Sequence, residues 1–217
     1  MLVSAIMPTR GRSSFVDRAL QCFFSQTWPE KELVIADDAD NPSFPDGFAK
    51  LGSDSPEGWT QYQYHLLPWR LSIGAKRNIC CSRATGEVIW HLDDDDWSAP
   101  QRMADQVNKL IESGKPVTGY KTLEFRGEPQ GRQHIVTERY LYTSDVPDYA
   151  PGSTLCYTRD WWLMHPFADR ETGEDSQFAS EAKGNMVTTD AGEMMWATIH
   201  PGNTSPRDLR TKNWSAL

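Results

Sequence analysis

Val88-Ile89-Trp90-His91-Leu92, running straight into Asp93-Asp94-Asp95-Asp96, is the stretch on which the reading of this chain turns. A short, mostly apolar run bounded by turn residues has the length of a buried strand. Here it delivers four carboxylates at its C-terminal end. Two like charges roughly 4 Å apart repel by about 1 kcal/mol in water and about 4 kcal/mol near a protein surface. Such a cluster at the end of a buried strand calls for compensation, and a hard divalent cation with oxygen ligands supplies it, often together with a phosphate. In open α/β sheets ligands collect just beyond the carboxyl ends of strands. The plain alternative is a solvated acidic turn that caps the next helix. A calcium loop is excluded by its own spacing: counted from Asp93, the sixth position is Ser98 instead of glycine and the twelfth is Ala104 instead of glutamate.

Outward from this block the pattern alternates. Upstream, Leu2 to Met7 reads as a first buried strand, followed by the basic turn Thr9-Arg10-Gly11-Arg12. Ser14, with Asp17 three residues on, predicts a capped helix whose Phe15, Ala19, Leu20, Phe23 and Phe24 share one face. Leu33 to Ala36 is a second buried strand ending in Asp37-Asp38, and a Pro/Gly/Ser/Asp loop fills 41–58. Alternation at Tyr62, Tyr64 and Leu66 gives a third strand. Ile73 to Ala84 is a helix stopped by Gly86 as a C′ residue, and Pro100 to Ser113 is the next, closed by Gly114.

Beyond it the expected elements are a strand at Val117 to Phe125, a hairpin within Gly127 to Tyr142, and a loop at Asp148 to Thr154. Helices follow at Arg159 to Met164 and Glu174 to Ala182, then strands at Val187 to Thr189 and Met195 to Ile199. The tail from Pro201 reads as a polar loop or lid. Together these predict an α/β fold: one domain over 1–217 with a mostly parallel, helix-flanked sheet, a nucleotide-binding half (1–113) and an acceptor-side half (114–217).

Composition narrows the classes. A chain of 217 residues buries a sizeable core. The apolar start is too short for a signal peptide and no segment approaches a membrane span. Cys22, Cys80, Cys81 and Cys156 form neither a metal knuckle nor a secreted disulfide framework, which predicts a reducing cytoplasm. A net charge of −8 argues against a protein that holds nucleic acid mainly by its phosphates.

Four blocks, in order, resemble the glycosyltransferases of GT-A fold, and in particular their large inverting family 2. They are the first strand with Pro8-Thr9-Arg10; the second strand ending in Asp37-Asp38; Gly74-Ala75-Lys76-Arg77-Asn78 through Ala84-Thr85-Gly86-Glu87 to the aspartates; and Gly173-Glu174-Asp175. His200, before Pro201-Gly202-Asn203-Thr204, is similar to the C-terminal histidine of many members. The resemblance covers most of the chain. Ala39-Asp40 departs from the usual serine or glycine turn, and the arginine/tryptophan motif of processive members is absent, so a processive polysaccharide synthase is not expected.

What the resemblance implies is a metal-dependent inverting transfer from a nucleotide sugar, a UDP-sugar first, to an acceptor hydroxyl. Pro8, Thr9, Arg10, Asp37, Asp38, Arg77, Asp93 and Asp94 would contact the donor nucleotide. Asp95 would bind Mn²⁺ or Mg²⁺, with His200 either ligating the ion or donating to a phosphate. Asp175 would be the general base, and Glu174 would bind hydroxyls or lie exposed. Arg77 and Asn78 would hold the base or the acidic loop in place, with Lys76 a plain surface residue. On an extended strand Asp93 and Asp95 would share a face. Gly152 and Ser153 would approach the donor sugar and acceptor, and Trp161 and Trp162 would offer an apolar wall for an acceptor sugar, or simply pack in the core. The acceptor would be a glycan, with a hydroxymethylated DNA base as the alternative, met by a basic rim of Arg126, Arg132, Arg207, Arg210 and Lys212. A sugar nucleotidyltransferase wants a G-x-G-x-R loop, and Pro8 to Arg12 holds one glycine. A catalytically silent nucleotide- or glycan-binding module is the remaining class, against which the joint presence of the aspartate run and Glu174-Asp175 argues.

Overall fold

The computed structural model describes residues 1–40, 60–127, 138–204 and 211–217. The expected loop at 41–58 and three members of the basic rim (Arg132, Arg207, Arg210) lie outside the described residues.

The first half alternates as its sequence periods demand. Strand β1 (Val3–Thr9) leads to α1 (Ser13–Phe24), β2 (Lys31–Asp37), β3 (Thr60–Leu66), α2 (Ile73–Arg83), β4 (Val88–His91), the two-residue β5 (Trp97–Ser98) and α3 (Arg102–Ser113). The second half continues with β6 (Val117–Gly127), β7 (Arg139–Thr143), a single 3-10 turn at Gly152–Thr154, β8 (Cys156–Thr158), α4 (Arg159–Met164), α5 (Glu174–Glu181), β9 (Met186–Asp190), β10 (Met195–Ile199) and β11 (Trp214–Ala216).

All strands join one mixed sheet. Its main path runs β11-β7-β6-β8-β4-β1-β2-β3. The β3-β2-β1-β4 block is parallel throughout, with α1 crossing from β1 to β2 and α2 from β3 to β4. The antiparallel β8 bridges β4 to β6 and so stitches the two halves together. On its other edge β6 pairs with β9 and then β10, both parallel.

Alternation along β1 divides the core. Val3, Ala5 and Met7 pack with α1 and α3 on one face. Ile6 packs with α2, α4 and α5 on the other. A third apolar cluster, from β6, β7, β10 and β11, lies at the far end of the sheet.

Three local expectations change. Helix α1 begins at Ser13 with Arg12 in the cap position and no side-chain cap, so Ser14 and Asp17 form no capping box. Gly11, at φ 59°, turns the chain just before it, and Arg12 is drawn to the aspartates instead. Gly86 is not a left-handed C′ residue. A Cβ there would lie 2.6 Å from Ser4 Oγ and 2.7 Å from the Leu2 carbonyl oxygen, so the glycine is needed for close packing on β1. The tail is not wholly loop, since β11 pairs antiparallel with β7. Gly114 does take the left-handed position that closes α3, at φ 63°.

Candidate active site

Strand β4 ends at His91, and the four aspartates form a turn instead of continuing the strand. The expected two-by-two alternation of their side chains therefore does not hold. The carboxylates divide among several partners, and Arg12 serves two of them. Asp94 accepts from Thr9 Oγ1 at 2.6 Å and from Arg12 Nη1 at 3.0 Å. Asp95 Oδ2 receives the same Arg12 nitrogen at 3.0 Å and His200 Nε2 at 2.9 Å. Asp93 faces Arg77 at 3.5 Å. Asp96 Oδ1 accepts from the Thr198 amide at 3.0 Å, from β10.

Burial and mutual repulsion pull these acids apart. Burial, reinforced by Asp95, raises Asp94 to about 6 against the pull of Arg12. Burial also raises Asp93 and, far more, Asp96. For Asp95 burial would do the same, but the hydrogen bond from His200 and the charge of Arg12 outweigh it, and its carboxyl lies below the usual range. Asp95 is thus the acid of the run most firmly held ionised.

His200 has a defined role in this geometry. The Gly202 amide donates to Nδ1 at 3.1 Å, so in the neutral ring Nε2 carries the proton given to Asp95. Ligating an ion through Nε2 would require the other tautomer. The ring also packs on Phe15, 4.5 Å between centroids.

The acidic run opens on a cavity of about 270 Å³. Pro8, Arg12, Arg77 and all four aspartates contribute to its walls, and so do Gly152, Ser153, Glu174 and Asp175. Asp175 stands in the first turn of α5. Its Oδ2 accepts from the Gly152 amide at 3.1 Å and its Oδ1 from the Ser176 amide at 2.7 Å. A Cβ at Gly152 would lie 2.4 Å from Asp175 Oδ2 and 2.5 Å from Asp175 Cβ, so only glycine lets the turn sit this close. Glu174 is buried, not exposed. It pairs with Arg77 Nε at 3.4 Å, and burial raises its pKa. Arg77 therefore joins the acidic turn to the start of α5, and its carboxylate neighbours overcome burial to raise its own pKa.

Other expected residues stand elsewhere. Arg10 is exposed and outside the cavity walls; Arg12, two residues on, occupies the site. Asp37 is buried and bonded by Tyr64 Oη at 2.9 Å. Asp38 is buried under Lys76 at 2.9 Å and the Leu71 amide at 2.8 Å, so Lys76 is not a surface residue but half of a buried ion pair. Neither aspartate contributes to the cavity walls. Trp161 and Trp162 belong to the core. Trp162 Nε1 donates to Asn78 Oδ1 at 2.9 Å, and Trp161 stacks on His165 at 3.9 Å. The short α4 thus turns both indoles inward. Asn78 in turn also binds the Phe167 backbone and not the acidic loop.

The aromatic wall comes from residues that sequence patterning does not single out. Phe125, Tyr142, Tyr149 and Trp214 line the cavity, and Trp214 packs edge-on against Phe125 and Tyr142 at 4.7 and 5.2 Å. Of the basic rim, Arg126 pairs with Glu124 and lies 3.7 Å over the Trp196 ring, and Lys212 pairs with Asp145.

The donor set suits a hard divalent cation. Asp93 Oδ1 is buried with no hydrogen bond, only the long ion pair to Arg77. Asp95 beside it is held ionised. Among the described residues no three acidic, histidine or cysteine side chains form a ready cage. Mg²⁺ in phosphate-handling sites is commonly held by one or two carboxylates together with substrate phosphates.

Comparison with known proteins identifies the family and the fold. The model of Glycosyl transferase family 2 matches residues 4–173. A curated relative, an uncharacterized glycosyltransferase of Haemophilus influenzae, is 23% identical over 173 residues, covering 79% of this chain and 63% of the relative. Among solved structures, S. aureus TarS 1-349 in complex with UDP-GlcNAc superposes with a TM-score of 0.70 at 20% identity, covering 94% of this chain and 60% of TarS 1-349. The mannosyltransferase PcManGT from Pyrobaculum calidifontis, in complex with GDP-Man and Mn²⁺, gives 0.64 at 16%, covering 91% of this chain and 56% of its own. The chain thus spans about three fifths of these proteins. They share its mixed α/β architecture, the GT-A fold. No helix among the described residues is long and apolar enough to cross a membrane. With the family model spanning the parallel sheet, the acidic turn and the approach to α5, the chain belongs to glycosyl transferase family 2.

Proposed function

We propose that this domain transfers a sugar from a nucleoside-diphosphate sugar, UDP-linked in the first instance, to an acceptor hydroxyl with inversion at the anomeric carbon. The observation that carries the reading is the sharing of one cavity by the acidic turn and Asp175. A single displacement needs charge compensation at the leaving diphosphate and a base at the attacking hydroxyl, held in one frame.

Asp95 and Asp93 would hold Mn²⁺ or Mg²⁺, which when bound supplies charge neutralisation to the leaving group. Arg12, bridging Asp94 and Asp95, steadies the carboxylates and offers a cation to the diphosphate. His200 orients Asp95 by its Nε2 proton. Asp175 takes the proton of the acceptor hydroxyl as the new glycosidic bond forms. Its carboxylate is aimed by the amides of Gly152 and Ser176. Phe125, Tyr142 and Trp214 form the apolar face against which a sugar acceptor stacks. TarS with UDP-GlcNAc and PcManGT with GDP-Man and Mn²⁺ support the choice of donor class and ion.

Thermal unfolding with UDP, GDP, UDP-GlcNAc and GDP-mannose, each with Mn²⁺ and with chelator, tests the donor half. A metal-dependent rise for one nucleotide is expected, about 2.7 kcal/mol at a hundredfold excess over Kd. Asp175→Asn tests the base: turnover is expected to fall by about 10²–10⁴ with donor binding retained. Full turnover in that variant would refute the assignment.

A further inference from the structure

A three-residue 3-10 turn has poor hydrogen-bond geometry of its own and depends on its surroundings for a fixed position. The Gly152–Thr154 turn is gripped from beneath. Arg102 Nη2 donates to the Ser153 carbonyl at 2.7 Å, and Gln106 Nε2 donates to the Thr154 carbonyl at 2.6 Å. Both side chains are fully buried. Four residues apart on α3, they rise from one face of the helix.

The orientation of Gln106 is determined by its other partner. Its Oε1 accepts the Trp90 indole N–H at 2.8 Å, and an indole can only donate, so the amide nitrogen must face Thr154. Arg102 lies 4.5 Å over the same indole, and its Nη1 donates to Ser98 Oγ at 2.8 Å, two residues past Asp96. One buried guanidinium therefore ties the end of the acidic turn to the Gly152–Thr154 turn. On the cavity side, the Gly152 amide holds Asp175 Oδ2 at 3.1 Å.

Apolar residues at these two α3 positions would fill the space without desolvating a charge, and buried polar groups of this kind are weak evidence for stability. Their geometry has a clearer consequence. We propose that Arg102 and Gln106 are positioning residues for the transfer reaction: by fixing two successive carbonyls of the Gly152–Thr154 turn, they set where Asp175 stands relative to the acidic turn. The proposal rests on Asp175 being the base, and it adds a route from α3 through Gly152 to that carboxylate.

Gln106→Met keeps the volume and removes both hydrogen bonds, whereas Gln106→Glu keeps an acceptor for Trp90 and, when ionised, removes the donor to Thr154. Leu110→Ala, one turn further along α3 and buried in the apolar core, controls for lost stability. The readout is release of nucleoside diphosphate from UDP-GlcNAc, or from GDP-mannose if that is the donor bound, with water as acceptor. Both Gln106 variants are expected to lower kcat about 10- to 100-fold, the scale of a misplacement near 1 Å, with donor KM changed less than threefold. Leu110→Ala should lower the unfolding midpoint at least as much and leave kcat within twofold. Arg102→Lys, which retains the charge but has one nitrogen in place of the two that reach Ser98 and Ser153, should fall between wild type and Arg102→Met.

Adding Gln106→Met to Asp175→Asn should cost almost nothing further, since both act through one carboxylate. A kcat loss in the Gln106 variants no larger than in Leu110→Ala, or a full additional loss in the double variant, would overturn the proposal while leaving Asp175 as base. Undiminished turnover in Asp175→Asn would sink both.

Discussion

Replacing Gly152 by alanine adds one methyl group where there is no room for it. Its Cβ would lie 2.4 Å from Asp175 Oδ2, 2.9 Å from Cγ and 2.5 Å from Cβ. Rotating the carboxylate relieves the first contact but not the last, because the Asp175 Cβ is fixed to the α5 backbone. Either the turn or the first turn of α5 must retreat by about 1 Å. Overpacking of this kind costs about 1–3 kcal/mol, which lowers the unfolding midpoint by about 2–12 °C in a chain of this size. The catalytic effect is larger than the loss of stability suggests. The retreat breaks the hydrogen bond from the Gly152 amide to Asp175, and a misplacement of 1 Å can cost about 10²-fold in rate. Donor binding, which the proposed function assigns to Arg12 and the acidic turn, should change little. Calorimetric titration of UDP-GlcNAc or GDP-mannose with Mn²⁺, beside kcat for diphosphate release, separates the two. Gly152→Ala with native midpoint and kcat within threefold would refute the packing of this turn on Asp175.

Asp95→Asn removes the acid most firmly held ionised and should abolish the Mn²⁺ dependence of donor binding by calorimetry; an unchanged metal dependence takes Asp95 out of the site. Trp214→Ala should raise acceptor KM about tenfold or more with donor KM within twofold, measured with the acceptor that supports turnover, and equal changes in both would dismiss the aromatic wall. Lys76→Met strands a buried Asp38 carboxylate and should cost about 3–5 kcal/mol in denaturant melts, most of it recovered by adding Asp38→Asn. Glu124 is held at about 2, first by the hydrogen bond from Arg139 and against the effect of burial. Its native pKa lies below its unfolded value, so its contribution is complete above about 4.5 and fades as pH falls toward 2; Glu124→Gln should destabilise at pH 7 and lose its effect near pH 2.

What the sequence made legible, and what it left hidden, follows from the range of the interactions involved. The β1, β2 and β4 strands and the α2, α3, α4 and β10 spans are local patterns: apolar runs, 3.6-residue periods and a closing Gly114, each readable in a short window. The strands β5, β8 and β11 hold two or three residues each and exist because a distant partner offers a register, Met195 for Ser98 and Tyr142 for Trp214. No window around Trp97 or Trp214 contains that information.

The site divides along the same line. Asp93 to Asp96, Glu174, Asp175 and Gly152 carry signals of type and spacing, and the fold brings them to one cavity. The choice between Arg10 and Arg12 does not. It depends on the left-handed turn at Gly11, which leaves Arg10 in solvent and brings Arg12 to two carboxylates eighty residues away. The tryptophans make the same point in reverse. Trp161 and Trp162 attract notice as a pair, yet a six-residue helix anchored by Asn78 buries both, while Trp214 reaches the cavity from a tail with no pattern at all.

Lys76 shows why such errors run in one direction. A lone lysine on a helix is assigned to the surface because burying its charge is costly, and that cost is offset only when Asp38, just past the end of β2, meets it. Charge pairs and close glycine contacts are properties of the closed fold. The residues that hold the reactive groups in place are therefore the ones that a linear reading is least equipped to find.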